Sequence, residues 1–317
     1  MRTENLIASL YDRLITTFEN TSQISNSRLM SYGEEQLSRS IKIETGNFST
    51  PFSDHQTKEI VLNERFLILT WCITYIIYEV TQNKSSTAIK LTETYSLLDK
   101  KDPEVQDLDH LFDWAFSLKH DDKTDWPTNL PNPTMKTFSV RVTNVIFIDA
   151  ICYIMFHEVA HLVNGHWKNY QAIQKKLIIG EHLNSDEQML CIQMEQEADS
   201  FAYDCLVSSQ LDEEARYHKQ LGIILTGLVS LFALKKGSKL TSITHPSSHV
   251  RIFNFLGQTA FSEDYEFQLN RVMNVGLSLF CKLQGITYED KGFATFNALL
   301  DYFYNLLDKN QTEILIH

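Results

Sequence analysis

The feature that most constrains this fold is an apolar stretch that runs into two histidines four residues apart. Residues Val145–Trp167 are predicted to form a helix buried in a core. On an α-helix, residues four apart share a face, so His157 and His161 can direct both imidazoles to one metal ion. Glu158 is placed to take a proton from an attacking water rather than to bind the metal. The pattern predicts a hydrolytic zinc site on a buried helix.

A catalytic zinc ion needs a third protein ligand and an open fourth position. Glu195 is the best candidate, because it follows His161 by 34 positions, enough for a turn and an antiparallel return helix. Asp199 shares its helical face and could accept a hydrogen bond from the distal nitrogen of a ligand histidine. Glu197 points to another side of that helix and is the alternative ligand if the register differs. We therefore expect one zinc ion per chain on two facing helices.

A third segment, Thr244–Ile252, completes a series of short motifs, H-E-V-A-H, E-Q-E-A-D and T-H-P-S-S-H-V-R-I. The series resembles gluzincin metallopeptidases of the HtpX and CAAX-prenyl-protease type. The resemblance implies that Glu195 is the third ligand and that Asp199 supports the ligands through a hydrogen bond. It also implies that His245 lies near the substrate oxyanion and that Arg251 pairs with an acid such as Asp199.

The sequence leaves the residue that stabilises the oxyanion undecided. His245 also fits an ordinary helix start, with proline in the first turn, and Tyr203 is another residue that could stabilise the oxyanion. His166 is expected to lie off the metal face, with Gly165 ending or loosening the helix. The segment Phe138–Val142 alternates apolar and polar residues and is predicted to be a strand that pairs with an extended substrate.

The layout of the whole chain, with its length and its zinc motif near the middle, is similar to the Lit-type family of phage-exclusion peptidases. That resemblance implies a cytoplasmic bacterial protease used in abortive phage defence. It implies a folded host protein as the substrate, elongation factor Tu in the case of Lit, and a phage peptide as the activating partner. The alternatives are a regulatory metalloprotease that cleaves a transcriptional repressor and a catalytically silent zinc-fold binding protein. The presence of Glu158 argues against the silent protein.

Composition narrows the class of partner and the compartment. The formal charge is −12 without a large lysine or arginine cluster, which argues against nucleic acid and anionic lipid as partners. The uncharged stretches Phe66–Tyr78 and Leu221–Leu234 fall short of the roughly 20 residues that span a bilayer. Five widely spaced cysteines fit a reducing cytosol. We therefore expect a cytoplasmic protein without a transmembrane segment.

Helical periodicity dominates, so the predicted fold is mainly α with a small β component, an α+β gluzincin-like metallopeptidase. The predicted helices are Glu4–Asn20, Asp54–Gln82, Ser85–Leu98, Glu104–Leu118, Val145–Trp167, Asn169–Leu177, Ser185–Ser209, Asp212–Lys235, Ser247–Gly257, Ser262–Leu283 and Tyr288–Asp308. The predicted strands are Ser40–Thr45 and Thr137–Thr143. Three of the six prolines fall between residues 119 and 136. This segment, residues 119–136, is predicted to be either a connector or a rim loop on the substrate side. It would lie between an N-terminal helical region, residues 1–118, and a zinc metallopeptidase region, residues 137–317, although the parts could pack as one domain.

Overall fold

The computed structural model shows a mainly helical molecule with one small sheet. The described residues are 6–24, 41–82, 103–120, 125–207, 211–234, 247–287, 293 and 295–313. The helices are α1 (Tyr11–Ile24, after a 3-10 turn at Leu6–Leu10), α2 (Glu64–Gln82), α3 (Pro103–Ser117), α4 (Phe138–Val163), α5 (Trp167–Ile178), α6 (Ser185–Leu206), α7 (Glu213–Ala233), α8 (Ser248–Leu256), α9 (Glu263–Gln284) and α10 (Phe296–Glu313). The strands are β1 (Ile41–Glu44), β2 (Phe52–Asp54) and β3 (Glu59–Asn63). The predicted mainly α architecture with a minor β component is confirmed, and the predicted helix Ser85–Leu98 lies outside the described residues.

Within the described residues, the sheet has the order β1-β3-β2, which leaves β2 at an edge. β1 is parallel and β2 antiparallel to the central β3. Asp54 begins the turn between β2 and β3, where its side chain accepts the backbone N–H groups of Gln56 and Thr57 at 2.8 and 3.4 Å. Lys58 completes the turn with a φ of 57°. The strand predicted at Ser40–Thr45 is confirmed as β1.

The helix predicted for Asp54–Gln82 is wrong at its start, because residues 54–63 belong to the β2–β3 hairpin. β3 is buried on both faces, so its apolar residues run together without the period of two that marks a half-buried strand. Asn63 then starts α2, since its side-chain oxygen accepts the N–H groups of Arg65 and Phe66 at 3.1 and 3.2 Å. The strand-to-helix boundary therefore lies at a capping residue inside an apolar run.

The strand predicted at Thr137–Thr143 is also wrong, because these residues form the start of α4. The hydroxyl of Thr137 accepts the Val140 N–H at 3.3 Å and caps the helix. The β-branched alternation of the segment favoured a strand, but capping and burial within a long helix outweigh that weak preference. The substrate-pairing role expected of Phe138–Val142 consequently does not belong to this segment.

α4 packs against α2, α6 and α7, which bury most of its length. At Gly222 of α7 an added Cβ would lie 2.9 Å from the Cβ of Asp149 and 3.0 Å from the backbone nitrogen of Ala150. Among the described helices, α4 is the one long and apolar enough to cross a membrane, and 72% of its most apolar window is buried inside the molecule. The helix that carries the two histidines is thus enclosed by other helices.

The segment around Trp126, in the loop before α4, contacts the N-terminal helices α2 and α3, and α2 contacts α4. The Trp126 ring lies 5.5 Å from Trp71 of α2 and 4.8 Å from Trp114 of α3, centroid to centroid. Trp71 in turn donates its indole N–H to Asn144 of α4 at 2.7 Å. One hydrophobic cluster contains buried residues of both α1 and α10, and a second, smaller one joins α5 to α6. The boundaries predicted at residues 118 and 136 stay a prediction.

Candidate metal centre

A cavity of about 720 Å³ opens beside α4. Residues of β2, α4, α5, α6, the end of α7 and the start of α8 line it. Four histidines lie in its wall, together with Glu158, Glu195 and Arg251, while the other lining side chains are uncharged. The cavity therefore gathers most of the residues that the motifs predicted.

Two imidazoles and one carboxylate meet in this cavity. The Nε2 atoms of His157 and His161 are 3.1 Å apart. The carboxylate oxygens of Glu195, on α6, lie 3.4 Å from His157 Nε2 and 3.5 Å from His161 Nε2. Among the described residues, these three form the one group with ligand atoms spaced to hold a metal ion.

The spacing suits a tetrahedral metal. With metal–ligand bonds of about 2.0–2.1 Å, two ligand atoms on one tetrahedral zinc ion lie about 3.3 Å apart. The two Nε2 atoms, 3.1 Å apart, are close to that spacing, and Glu195 offers Oε2 at 3.4 Å to His157 and Oε1 at 3.5 Å to His161. Glu195 and His157 are both buried, at 6% and 8% exposure, so an isolated charge there would be costly without a partner. The three side chains fit the predicted metal, and Glu195 fits better than Glu197.

Asp199 supports His157 from behind. Its Oδ1 lies 2.9 Å from His157 Nδ1, one helical turn along α6 from Glu195. Arg251 of α8 grips the same carboxylate at both oxygens, with Nε 2.8 Å from Oδ2 and a terminal nitrogen 2.6 Å from Oδ1. Tyr153 donates its hydroxyl to Asp199 Oδ1 at 3.2 Å. The structure thus brings together the Asp199–Arg251 pair that the motif resemblance implied, and it adds a tyrosine that sequence reasoning missed.

Charge and burial have opposite effects on the pKa values of Asp199 and His157. Burial alone raises the pKa of Asp199, but the Arg251 charge and the His157 contact outweigh burial and lower it. Burial alone lowers the pKa of His157, but the hydrogen bonds and charges of Asp199 and Glu195 raise it to about 10. In the metal-free molecule a proton on His157 can therefore supply part of the positive charge that this acidic site favours.

Glu158, also on α4, lines the same cavity as the two histidines, and its carboxylate faces β2. Burial raises the pKa of Glu158 to about 7, and Glu195 adds to the increase. The charge on His157 and two hydrogen bonds from Ser53, one from the hydroxyl and one from the backbone N–H, act in the opposite direction. Ser53 is a site residue that the sequence did not reveal, because its strand is short and distant in sequence. A carboxylate with a pKa near neutrality is suited to accept and return a proton.

His166 lies outside the group of possible metal ligands, as expected, but its contact with Glu197 was not foreseen from the sequence. Glu197 does not join the three possible ligands; its Oε2 lies 3.2 Å from Nε2 of His166 instead. His166 is buried at 5% exposure, and its Nδ1 lies 3.0 Å from Nδ1 of His161. The only sequence signal for this contact is Gly165, which has a φ of 66° and turns the chain back towards the helix.

The two residues considered for the oxyanion have different outcomes. His245 lies outside the described residues, so its role stays a prediction. The Tyr203 hydroxyl contacts Thr259 Oγ1, and Tyr203 is not among the residues that line the cavity. Arg251 lines the cavity but is engaged by Asp199.

The comparison with protein families identifies the class. The chain matches the Peptidase U49 family model over residues 60–271, more than half of its length, and it belongs to that family. The matched range includes α4, α6 and α8 in full, and hence His157, His161, Glu195 and Arg251. Membership of a peptidase family is consistent with a cavity that contains Glu158, a carboxylate with a pKa near neutrality.

The chain is also similar to a curated protein named Cell death peptidase, from Escherichia coli strain K12. The two are 24% identical over 205 residues, which covers 63% of this chain and 63% of the relative. The chain therefore spans about 63% of the length of that relative. The expected Lit-type family is confirmed by these matches. No solved structure matched the chain.

Proposed function

We propose that this chain is a zinc-dependent endopeptidase of the gluzincin type, acting in the cytoplasm on a protein substrate. The observation that supports the proposal most is the convergence of His157, His161 and Glu195 beside Glu158 in one cavity. His157, His161 and Glu195 would hold the metal, which would leave a fourth ligand position for water or substrate. When bound, zinc would polarise the scissile carbonyl and lower the pKa of the attacking water.

Glu158 is the proton carrier in this proposal. Its pKa of about 7 lets it take the proton of the attacking water and then deliver it to the leaving amine. Ser53 holds the carboxylate through its two donors, so the group stays aimed at the cavity. His245 is proposed to stabilise the oxyanion, and Arg251 to hold Asp199 in place against His157.

The strand that pairs with the substrate is proposed to be β2 rather than the helical segment first expected to do so. β2 is an edge strand within the described part of the sheet, and Pro51, Phe52 and Ser53 line the cavity beside Glu158. Main-chain pairing with an extended peptide on the free side of β2 would bring the scissile bond across the metal ligands. A folded host protein would have to offer such a segment in an exposed loop.

The biological setting is proposed from the family. A peptidase of the Lit type would act in abortive phage defence, with a translation elongation factor as its target and an activating peptide or protein as its trigger. A repressor-cleaving protease is the competing assignment within the same chemistry. The cytosol contains many proteins with exposed loops, and an unrestrained protease would cut them. We therefore expect low activity until the activating partner binds.

The test is a comparison of protein termini in bacterial lysates that express intact or Glu158→Gln protein, with and without phage infection. A new pair of termini should appear in one protein with the intact chain and be absent with Glu158→Gln. A cut in a translation factor supports the defence assignment, whereas a cut in a repressor supports the competing one. Glu181→Gln, a change at an exposed glutamate outside the cavity, is the matched control and should cut as the intact chain does. The same termini with Glu158→Gln would remove the proposal.

A further inference from the structure

The Nδ1 atom of His161, the nitrogen that points away from the possible metal, contacts His166, which a helix-terminating turn holds in place. After α4 ends at Val163, the N–H of His166 donates to the carbonyl of His161 at 3.1 Å, and the N–H of Gly165 donates to the carbonyl of Leu162 at 3.3 Å. These two bonds form a Schellman turn, which places the residue after the glycine against the residue five positions before it. The turn therefore packs the His166 ring on His161, with 5.1 Å between ring centroids.

The hydrogen bonds around His166 have a required direction. A histidine that offers Nε2 to a metal carries its proton on Nδ1, so His161 must donate to Nδ1 of His166 across the 3.0 Å contact. His166 then accepts at Nδ1 and carries its own proton on Nε2. That proton points at Glu197 Oε2, 3.2 Å away, and a carboxylate can only accept it. The reverse direction would aim a nitrogen lone pair at the carboxylate and would place a proton on Nε2 of His161.

A second hydrogen bond orients the Glu197 carboxylate towards His166. Gln193, one turn earlier on α6, donates to Glu197 Oε1 at 3.0 Å and leaves Oε2 for His166. α6 therefore supplies one possible ligand, Glu195, and two carboxylates that support the imidazoles. Asp199 contacts His157 directly, and Glu197 contacts His161 through His166.

We propose that His166 and Glu197 form a positioning relay that fixes the Nδ1–H tautomer and the ring orientation of His161 for metal binding. The relay rests on the proposed function, because it has a purpose only if His157, His161 and Glu195 hold a metal. Neither His166 nor Glu197 is a ligand in this proposal, and neither touches the substrate.

The test measures the zinc dissociation constant of the purified full chain by competition with a chromophoric chelator. Loss of a hydrogen-bond partner behind a ligand histidine weakens metal binding by about 10–100-fold. We expect that range for His166→Leu and for Glu197→Ala. His166→Asn keeps an acceptor close to the Nδ1 position and should retain more affinity than His166→Leu.

The controls separate the relay from general damage to the fold. His249→Leu removes another buried histidine, on α8, and Glu181→Ala removes an exposed carboxylate outside the cavity; both should bind zinc as the intact chain does. Thermal unfolding of each metal-free variant identifies any that fail to fold. Imidazole ¹⁵N spectra of the metal-free protein give a second readout, because His161 should carry its proton on Nδ1 in the intact chain and lose that single tautomer in Glu197→Ala.

The outcomes are distinct. An intact chain that binds no zinc removes the proposed function and the relay with it. An intact chain that binds zinc tightly, together with His166→Leu and Glu197→Ala variants that bind equally well, overturns the relay alone. Equal weakening in His166→Leu and His166→Asn would also overturn it, because packing rather than the hydrogen bond would then control the affinity.

Discussion

The buried carboxylate of Asp199 connects three side chains, so a single change there has a readable effect. Asp199→Asn removes the charge that faces His157 Nδ1 and Arg251 while keeping the size of the side chain. We expect zinc affinity to fall by about 10–100-fold, since the neutral amide accepts a weaker hydrogen bond from the ligand imidazole than the carboxylate does. Chelator competition measures the change. Asp204→Asn, at an exposed position on the same helix, should leave the affinity unchanged.

The same residue predicts a pH dependence of stability in the metal-free protein. The pKa of Asp199 is lower in the folded chain than its usual value, so the charged form favours the folded state. Its contribution is fully present above the unfolded pKa of about 3.9 and is lost as the pH falls through the folded pKa. Denaturant titrations should therefore show a smaller acid-side loss of unfolding free energy in Asp199→Asn than in the intact chain. Identical slopes below about pH 4 would contradict this prediction.

Single residues also show what the sequence could predict at the site. The pairing of His157 with His161 follows from the helical period alone, and the separation of Glu195 and Asp199 by four residues follows from the same rule. The contacts of Ser53 and His166 depend on the packing of a distant strand and on the φ of Gly165, and local periodicity carries neither. The sequence favoured Glu195 and kept Glu197 as the alternative, because the rotation of α6 about its axis depends on packing.

At the scale of elements, the turn after α4 is expected to affect zinc binding as well as the stability of the fold. Gly165 and Gly180 both have positive φ, 66° and 77°, and neither has a neighbour within 4 Å of an added Cβ. Alanine at either position should destabilise the fold by about 1–2 kcal/mol, measured by denaturant unfolding. Only Gly165→Ala should also weaken zinc binding, because it disturbs the turn that presents His166. Equal zinc affinities in the two variants would contradict that link.

The contact between α7 and α4 gives an element-scale prediction about stability. Gly222→Ala would force a Cβ to within 2.9 Å of Asp149 and 3.0 Å of the backbone of Ala150, so the helices must separate. Overpacking of this kind costs typically 1–3 kcal/mol. Gly257→Ala is the matched control, since its nearest neighbour would lie 3.8 Å away at a φ of −82°. Calorimetry should show a lower Tm for the first variant and a nearly unchanged Tm for the second.

The two wrong predictions of secondary structure have a common cause at this scale. β3 is enclosed on both faces, so its apolar run looked like the start of α2, and the β-branched alternation before α4 looked like a strand. In each case a single capping side chain, Asn63 or Thr137, determines where the helix begins. Helix caps of this kind are visible in the sequence, but many serines, threonines and asparagines cap nothing.

For the whole molecule, helical periodicity was sufficient to predict a mainly α fold, and the length of each uncharged run argued against membrane insertion for two helices. α4 passes the length and composition test for a membrane span, yet its buried surface contacts α2, α6 and α7. A polar cluster at its C-terminal end and Asp149 in its middle fit a helix that serves a site inside a protein. Sequence patterns could not reveal this packing, because apolar surfaces that face protein and lipid have the same composition.

The central claim is that His157, His161 and Glu195 hold one metal ion in the intact chain. The most direct measurement is the metal content of protein purified without chelators, for the intact chain and for His157→Ala/His161→Ala, by inductively coupled plasma mass spectrometry. We expect about one zinc per intact chain and none in the double variant, with both proteins folded. Absence of zinc from the intact chain, or an equal zinc content in the double variant, would contradict it.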